Sequence, residues 1–314
     1  MLSCQGIDGN TLTPAADGEL PPGCVWFDLK DPSEDETRRV ERATALELPS
    51  QEQIRAVEMS SRVRFEDGAL YLNVPYFAHD GDQPPTPVGL IVTPKTLVSI
   101  RYAESAAFGI AAAALHAAKE RSGASAFTAL VGAIVGQIAD HMEAITAKTG
   151  ALSLRILGDQ KHTTKMLRAT LSEVGYLESH LTRTRLTMTG LLRIIVFTHE
   201  SAPEWIAKPE AARLKLAHKD LDVLCELDAQ LTDKLQFLLD AVLGFISIDQ
   251  NDVMKIFTVA SVASIPPIIL VGIWGMNFVN MPELKWPHGY PMALTAIALS
   301  VIIPVLWFKR RGWL

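Results

Sequence analysis

The sequence predicts an α+β membrane protein: a cytosolic α/β domain, then a long stalk helix that continues into the first of two C-terminal transmembrane helices. Three observations carry this reading. Two uncharged runs of 19 residues, 256–274 (IFTVASVASIPPIILVGIW) and 290–308, lie close to the end of the sequence. Strand and turn signals fill the first hundred residues and stop near residue 104. Ahead of the first uncharged run, apolar residues recur at alternating three- and four-residue steps through a stretch almost free of glycine and proline.

Composition narrows the classes. With 314 residues, 48% of them hydrophobic, the chain has no disordered character and is long enough for one large domain or two ordinary ones. Its 29 basic and 35 acidic residues leave a net charge of −6, so no whole-chain basic field exists and nucleic acid is not an expected partner. Cys4, Cys24 and Cys225 are too few and too scattered for a disulfide framework or a cysteine-rich zinc site, which fits a reducing compartment. Residues 1–10 show neither a positive n-region nor an apolar h-region, so no secretory signal is expected there.

Residues 1–103 read as the N-terminal part of the α/β domain. CVWFDL at 24–29 is an apolar, aromatic strand, and the helix after it is opened by Asp31-Pro32 or Ser33, with acids in its first turn. Residues 63–77 form a hairpin about Asp67-Gly68, and 87–102 a second about Thr93-Pro94-Lys95. GDQPPTP at 81–87 is a loop by composition.

Residues 104–208 are a long-helix region with breaks near Gly123, Gly150 and Ser201-Ala202-Pro203, and 202–209 is the tip of a helical hairpin. The stalk follows at 209–255. Leu214, Ala217, Leu221, Leu224, Leu231, Leu235, Leu238, Val242 and Phe245 form a coiled-coil-like seam that only Asp228 interrupts. With Gly244 tolerable, the helix runs unbroken into the first span, some 60 residues or about 90 Å. So long a helix is not expected to bury its faces in a small monomer, which implies several copies packed about an axis.

The two spans, 256–274 and 290–308, are each about 28 Å long as helices, matching a bilayer's hydrocarbon core. Lys255 precedes the first, and a basic tail, 309–314, follows the second with Lys309, Arg310 and Arg311. Basic flanks stay cytoplasmic, so both termini are expected in the cytosol and the loop 275–289 outside. Stepping along the first span from Asp240 gives a narrow, mostly polar stripe: Ser247, Asn251, Met254, Thr258, Ser261, Ile265 and Ile268. Small hydrogen-bonding residues suit a helix lining an aqueous path. They suit close helix packing equally well, and the spans alone leave both open.

The loop reads Gly275-Met276-Asn277-Phe278 and then Met281-Pro282-Glu283-Leu284. A Gly-Met-Asn triplet at the end of the first of two C-terminal spans, followed by this loop, resembles the CorA family of magnesium transporters, part of the two-span Gly-Met-Asn metal ion transporter superfamily. The resemblance extends over the whole layout and implies a homopentameric funnel in a bacterial-type inner membrane. It implies that Gly275, Met276 and Asn277 receive hydrated Mg2+ at the outer mouth, with Asn277 touching the ion's water shell. Glu283 then concentrates cations nearby. It places Asn251 and Met254 at the constriction and gate and Asp240 at the cytosolic end of the path. Phe257, Ile265, Pro266 and Pro267 depart from the better-known pattern.

The stalk carries eight acids between residues 220 and 252 against one base, Lys234. Carboxylates of neighbouring subunits bridged by divalent cations would make the closed state depend on cytosolic Mg2+, with Asp220, Asp222, Glu226, Asp228 and Asp240 as the candidate regulatory metal ligands. For any one of them a solvated face is the blander alternative. Mg2+ is thus expected as both substrate and regulator, with Co2+ or Ni2+ leaking through, and no covalently bound cofactor. No phosphate-binding loop with Lys-Ser/Thr and no histidine pair at the spacing of a helical zinc site occurs, so no enzyme is expected. The alternatives are a ZntB-like zinc transporter and, in a different class, a membrane-anchored scaffold or signalling protein.

Overall fold

The computed structural model describes residues 1–7, 10–12, 14, 20–21, 23–55, 63–76, 86–158, 163–201, 204–276, 278 and 280–313. Seven strands form one mixed sheet in the order β2-β1-β3-β7-β6-β5-β4. They are β1 (Leu2–Gly6), β2 (Thr11–Leu12), β3 (Cys24–Lys30), β4 (Val63–Glu66), β5 (Ala69–Tyr76), β6 (Thr86–Val92) and β7 (Leu97–Arg101). Among the described residues only β3 and β7 pair in parallel, from Trp26 opposite Leu97 to Lys30 opposite Arg101; the other pairings are antiparallel.

Local chemistry sets these elements. Asp67 and Gly68 take φ of 50° and 76°, the left-handed pair that a two-residue hairpin requires, and they join β4 to β5. Thr93 and Thr96 close the β6–β7 turn through their backbones and the Thr93 hydroxyl. Helix α1 (Glu34–Thr44) starts at Ser33, whose hydroxyl accepts from the Glu36 amide while the Glu36 carboxylate accepts from Ser33 N–H, a reciprocal capping box. The expected strand, helix start and two hairpins are therefore present. The loop expected at 81–87 lies outside the described residues as far as 85, and Thr86 and Pro87 already belong to β6. Strands β1 and β2 were not expected from the sequence. The pairing of β1 with β3 brings Cys4 and Cys24 together, with Cα atoms 5.9 Å apart, so two cysteines that are distant in sequence are neighbours in the fold.

One face of the sheet is closed by α1 and the short α2 (Gln51–Arg55), around a core of Leu2, Phe27, Leu29, Val40, Ile54, Ile91, Val98 and Ile100. The other is closed by α3 (Ala106–Ala117) and α4 (Gly123–Leu157), which packs on β3, β6 and β7. Gly123 is where α4 meets the β6–β7 turn: a Cβ there would sit 2.2 Å from the Thr93 carbonyl oxygen. Gly190 plays the same part in α5 (Thr164–Ser201), where a Cβ would stand 2.7 Å from Pro75 Cδ of β5. Beneath the sheet, Asp28 is buried and accepts from Ser99 and, through both oxygens, from Arg101, whose guanidinium lies 4.4 Å over the Phe108 ring.

The expected break at Gly150 does not occur, since α4 runs 35 residues through it and ends at Gly158. A lone glycine costs only about 1 kcal/mol in a helix interior, less than the burial of Ile145, Leu152 and Ile156 on either side of it returns. The break at Ser201 is present: α5 ends there and α6 (Lys208–Trp274) begins seven residues on. Helix α6 is 67 residues long and unbroken, and α7 (Gly289–Arg310) follows after a short 3-10 turn, Pro282–Lys285. The chain forms two compact units, Met1–Asp159 with Thr170–Leu238 and Gln160–Ala169 with Leu239–Leu314.

Within the first unit the seam of α6 is buried, at Leu214, Leu221, Leu231, Leu235 and Leu238, on the face that Arg185 of α5 also reaches. The chain thus covers the seam itself, and α5 supplies one partner through Arg185. The part of α6 beyond Val242 is different, and large apolar side chains stand exposed there on most of its circumference.

Candidate functional site

Among the described residues, three helices are long and apolar enough to cross a membrane: α4, α6 and α7. Burial separates them. The apolar window of α4 is 67% buried inside the protein, whereas those of α6 and α7 are each 6% buried. An apolar helix left bare in this way requires a non-aqueous surrounding, so α6 and α7 are the transmembrane helices and α4 is a core helix.

The covered positions of these two helices are periodic. On α6 they are Lys255, Val259, Ala263, Pro266, Pro267, Leu270 and Trp274; on α7 they are Ala293, Ala296, Ile297, Ser300, Val301, Pro304, Val305 and Phe308. Both sets recur at three- and four-residue steps, as two helices packed along one face of each must show. Met254, Thr258, Ser261, Ile265 and Ile268 are all exposed. At 100° per residue, the middle of that stripe lies roughly 150° around α6 from its covered face. Pro266 and Pro267 sit on the covered face, away from the stripe, while Phe257 is exposed on the stripe's flank.

The polar members of the stripe are held by their own helix. The Ser247 hydroxyl donates to the Leu243 carbonyl at 3.0 Å, and that of Thr258 to the Met254 carbonyl at 2.8 Å, which leaves their lone pairs turned outward. Asn251 is exposed one turn below Met254. A cleft of about 380 Å³ opens at this level, between Asn251, Asp252, Lys255 and Thr258 on one side and Trp313 on the other. Lys255 is committed to Asp252 at 2.7 Å.

At the other end of the span, Gly275 still donates to the Val271 carbonyl at 2.9 Å and Met276 to that of Ile273 at 3.3 Å, so α6 unwinds at the start of the triplet. Both are exposed. Asn277 lies outside the described residues; Glu283 is in the 3-10 turn, with its side chain outside them.

The stalk acids fall into two groups. Asp220, Asp222, Glu226 and Asp240 are not buried, with Asp222 standing 3.6 Å from His218. Asp228 is buried, and Arg185 of α5 donates to it at 2.5 Å while also reaching the Thr232 hydroxyl at 2.8 Å. That carboxylate already has its counter-charge inside the chain. Burial, with Asp228 and Asp222 nearby and Arg185 opposing, pushes the neighbouring Cys225 thiol above its usual range. Among the described residues no three His, Cys, Asp or Glu side chains are grouped to hold a metal ion. Sequence reasoning missed the Arg185–Asp228 pair; its one signal was an acid at an apolar position of the seam.

Fold and helices together define a membrane protein in which a mixed-sheet domain is joined, through one long helix, to a pair of transmembrane helices. A family model described as CorA-like Mg2+ transporter protein matches residues 22–310. The magnesium transport protein CorA of Escherichia coli strain K12 is 30% identical over 325 residues, covering 100% of both chains. The chain belongs to the CorA-like Mg2+ transporter family. The solved CorA magnesium transporter from Methanocaldococcus jannaschii is similar over 100% of this chain and 98% of its own, with a TM-score of 0.80 at 18% identity. The cytoplasmic domain of ZntB from Vibrio parahaemolyticus is similar over 78% of this chain and 97% of its own, with a TM-score of 0.58 at 14% identity. At such identities both likenesses speak to the fold alone.

Proposed function

We propose that this chain is a magnesium channel of a bacterial-type inner membrane, passing hydrated Mg2+ down its electrochemical gradient through a homopentameric pore lined by α6. The observation that carries the reading is the exposure of Thr258 and Ser261, with Met254, Ile265 and Ile268, opposite the covered face of α6. With α7 outside, symmetry packing of α6 helices turns that side to a common axis. Asn277, Gly275 and Met276 form the outer mouth, aided by Glu283. Asn251 and Met254 form the constriction, and Asp240 the cytosolic end. Neutral amides read the water shell of an ion that dehydrates reluctantly, without trapping its charge. No Cys or His lies on the stripe, so its oxygen ligands favour magnesium over zinc.

Cytosolic Mg2+ would gate the pore by bridging carboxylates of adjacent stalks, through Asp220, Asp222, Glu226 and Asp240. Asp228, paired to Arg185, contributes least. Both termini face the cytosol. The deciding experiment is competition flux in liposomes holding the purified chain. Mg2+ should pass, a hexaammine cation of hydrated-ion size should block, Zn2+ should compete poorly, and Asn277→Ala should abolish flux while the oligomer persists. Faster Zn2+ flux without hexaammine block would replace this reading with a zinc transporter. No flux of any ion would leave a membrane-anchored scaffold.

A further inference from the structure

The C-terminal end of α7 is closed by a specific cap. Gly312 takes φ of 71°, its N–H donates to the Lys309 carbonyl at 3.2 Å, and the Trp313 N–H donates to the Phe308 carbonyl at 3.1 Å. These are the paired bonds of a Schellman cap, and its usual apolar contact is present: the Phe308 and Trp313 rings lie 5.2 Å apart. The cap folds the chain back and fixes three consecutive cations, Lys309, Arg310 and Arg311, on the surface. Arg311 stacks 4.9 Å over the Trp307 ring. Among the described residues none of the three makes an ion pair, and nearby Asp252 is already held by Lys255. Trp307 and Trp313 remain 52% and 39% exposed beside them.

We infer that this capped end is a binding site for the phosphate of an anionic phospholipid head group, with Trp307 and Trp313 seated at the interface beside it. The inference rests on the reading that α7 spans a bilayer. Nineteen uncharged residues precede Lys309, and at about 1.5 Å each they cross the hydrocarbon core and bring the cations to head-group depth. Three unpaired cations at that depth require negative charge, and anionic lipids of the cytosolic leaflet supply it. The flanking indoles separate a lipid from a dissolved anion, since exposed tryptophan beside a basic cluster is stable where an apolar phase meets water. Preorganisation by the cap removes the ordering cost that a loose tail would incur on binding.

The test uses the full chain in a neutral detergent, equilibrated with equal amounts of phosphatidylglycerol and phosphatidylcholine, then washed, with retained lipid counted per chain by mass spectrometry. Phosphatidylglycerol should be enriched at least tenfold and released by raised salt. Lys309→Gln/Arg310→Gln/Arg311→Gln should weaken its retention on the order of a hundredfold, whereas Lys309→Arg/Arg310→Lys/Arg311→Lys should keep it. Equal retention of the two lipids, or unchanged enrichment in the Gln variant, overturns the proposal. Displacement of phosphatidylglycerol by millimolar inorganic phosphate also overturns it, by showing a simple anion site. Should the Gln variant fail to assemble, the phosphate competition and the Arg/Lys exchange decide the matter on intact protein. None of these readouts involves ion flux, and extraction of the chain without detergent would separately sink the spanning reading.

Discussion

Asp228 and Arg185 show how one residue can be misread from spacing and corrected by packing. An acid at an apolar position of the seam looks like a defect, yet its carboxylate is 4% exposed and receives a charged donor from the opposite helix. Removing Arg185 strands a buried charge, so Arg185→Met should destabilise the chain by about 3–5 kcal/mol. Arg185→Met with Asp228→Leu should recover most of that loss, because two apolar groups fill the same space. Thermal unfolding of the full chain in detergent checks both. Tyr76 offers a second residue-scale test. Burial pushes its phenol above the usual range, against the opposing pull of the Ser105 hydrogen bond and the Arg101 charge. The neutral phenol also donates to Gln137 at 2.7 Å. A raised acid pKa in the folded state means that this stabilisation is complete below about pH 10 and lost as pH rises through the raised value. The thermal midpoint should therefore fall on going from about pH 9 to about pH 11, and Tyr76→Phe should flatten that fall; an identical slope in the variant would assign it to other groups.

Helices and strands differ in how far they could be read in advance. The 67 residues of α6 were legible because nothing in 211–243 opposes a helix and only Asp228 interrupts the seam. Leu235 is 2% exposed at the centre of that seam, so Leu235→Ala should cost about 2–5 kcal/mol, read as a lowered unfolding midpoint. The Asp67-Gly68 hairpin was legible because two adjacent positive φ angles select those residues. Strands β1 and β2 were not: in LSCQG Leu2 and Cys4 alternate with Ser3 and Gln5, but no β-branched or aromatic residue marks the segment as a strand, and its pairing with β3 makes it one. The Arg185–Asp228 pair was hidden because its partners are 43 residues apart on different helices. The direction of the stripe on α6 was likewise undetermined: one helix's periodicity says which residues share a face, and only the second helix says what the face is turned to. Asn277, proposed for the outer mouth, was legible from the Gly-Met-Asn triplet itself.

For the molecule as a whole, the proposed topology has the two bare apolar helices return the chain to the side from which it entered. Extraction should need detergent, and reporters fused to either end should both signal cytosol; a periplasmic signal from a C-terminal fusion would reject the two-span topology. The order of events during synthesis follows from the sheet. Strands β4 to β7 pair with their sequence neighbours as they emerge, but β3 waits for β7, and the parallel ladder closes only once Arg101 can reach Asp28, 73 residues back. The first transmembrane helix begins about 150 residues later still, and at roughly 5–20 residues per second that interval is on the order of ten seconds. The domain therefore has time to complete its slowest pairing on the ribosome before the membrane captures the chain, so the apolar helices cannot compete with the sheet for partners while it folds.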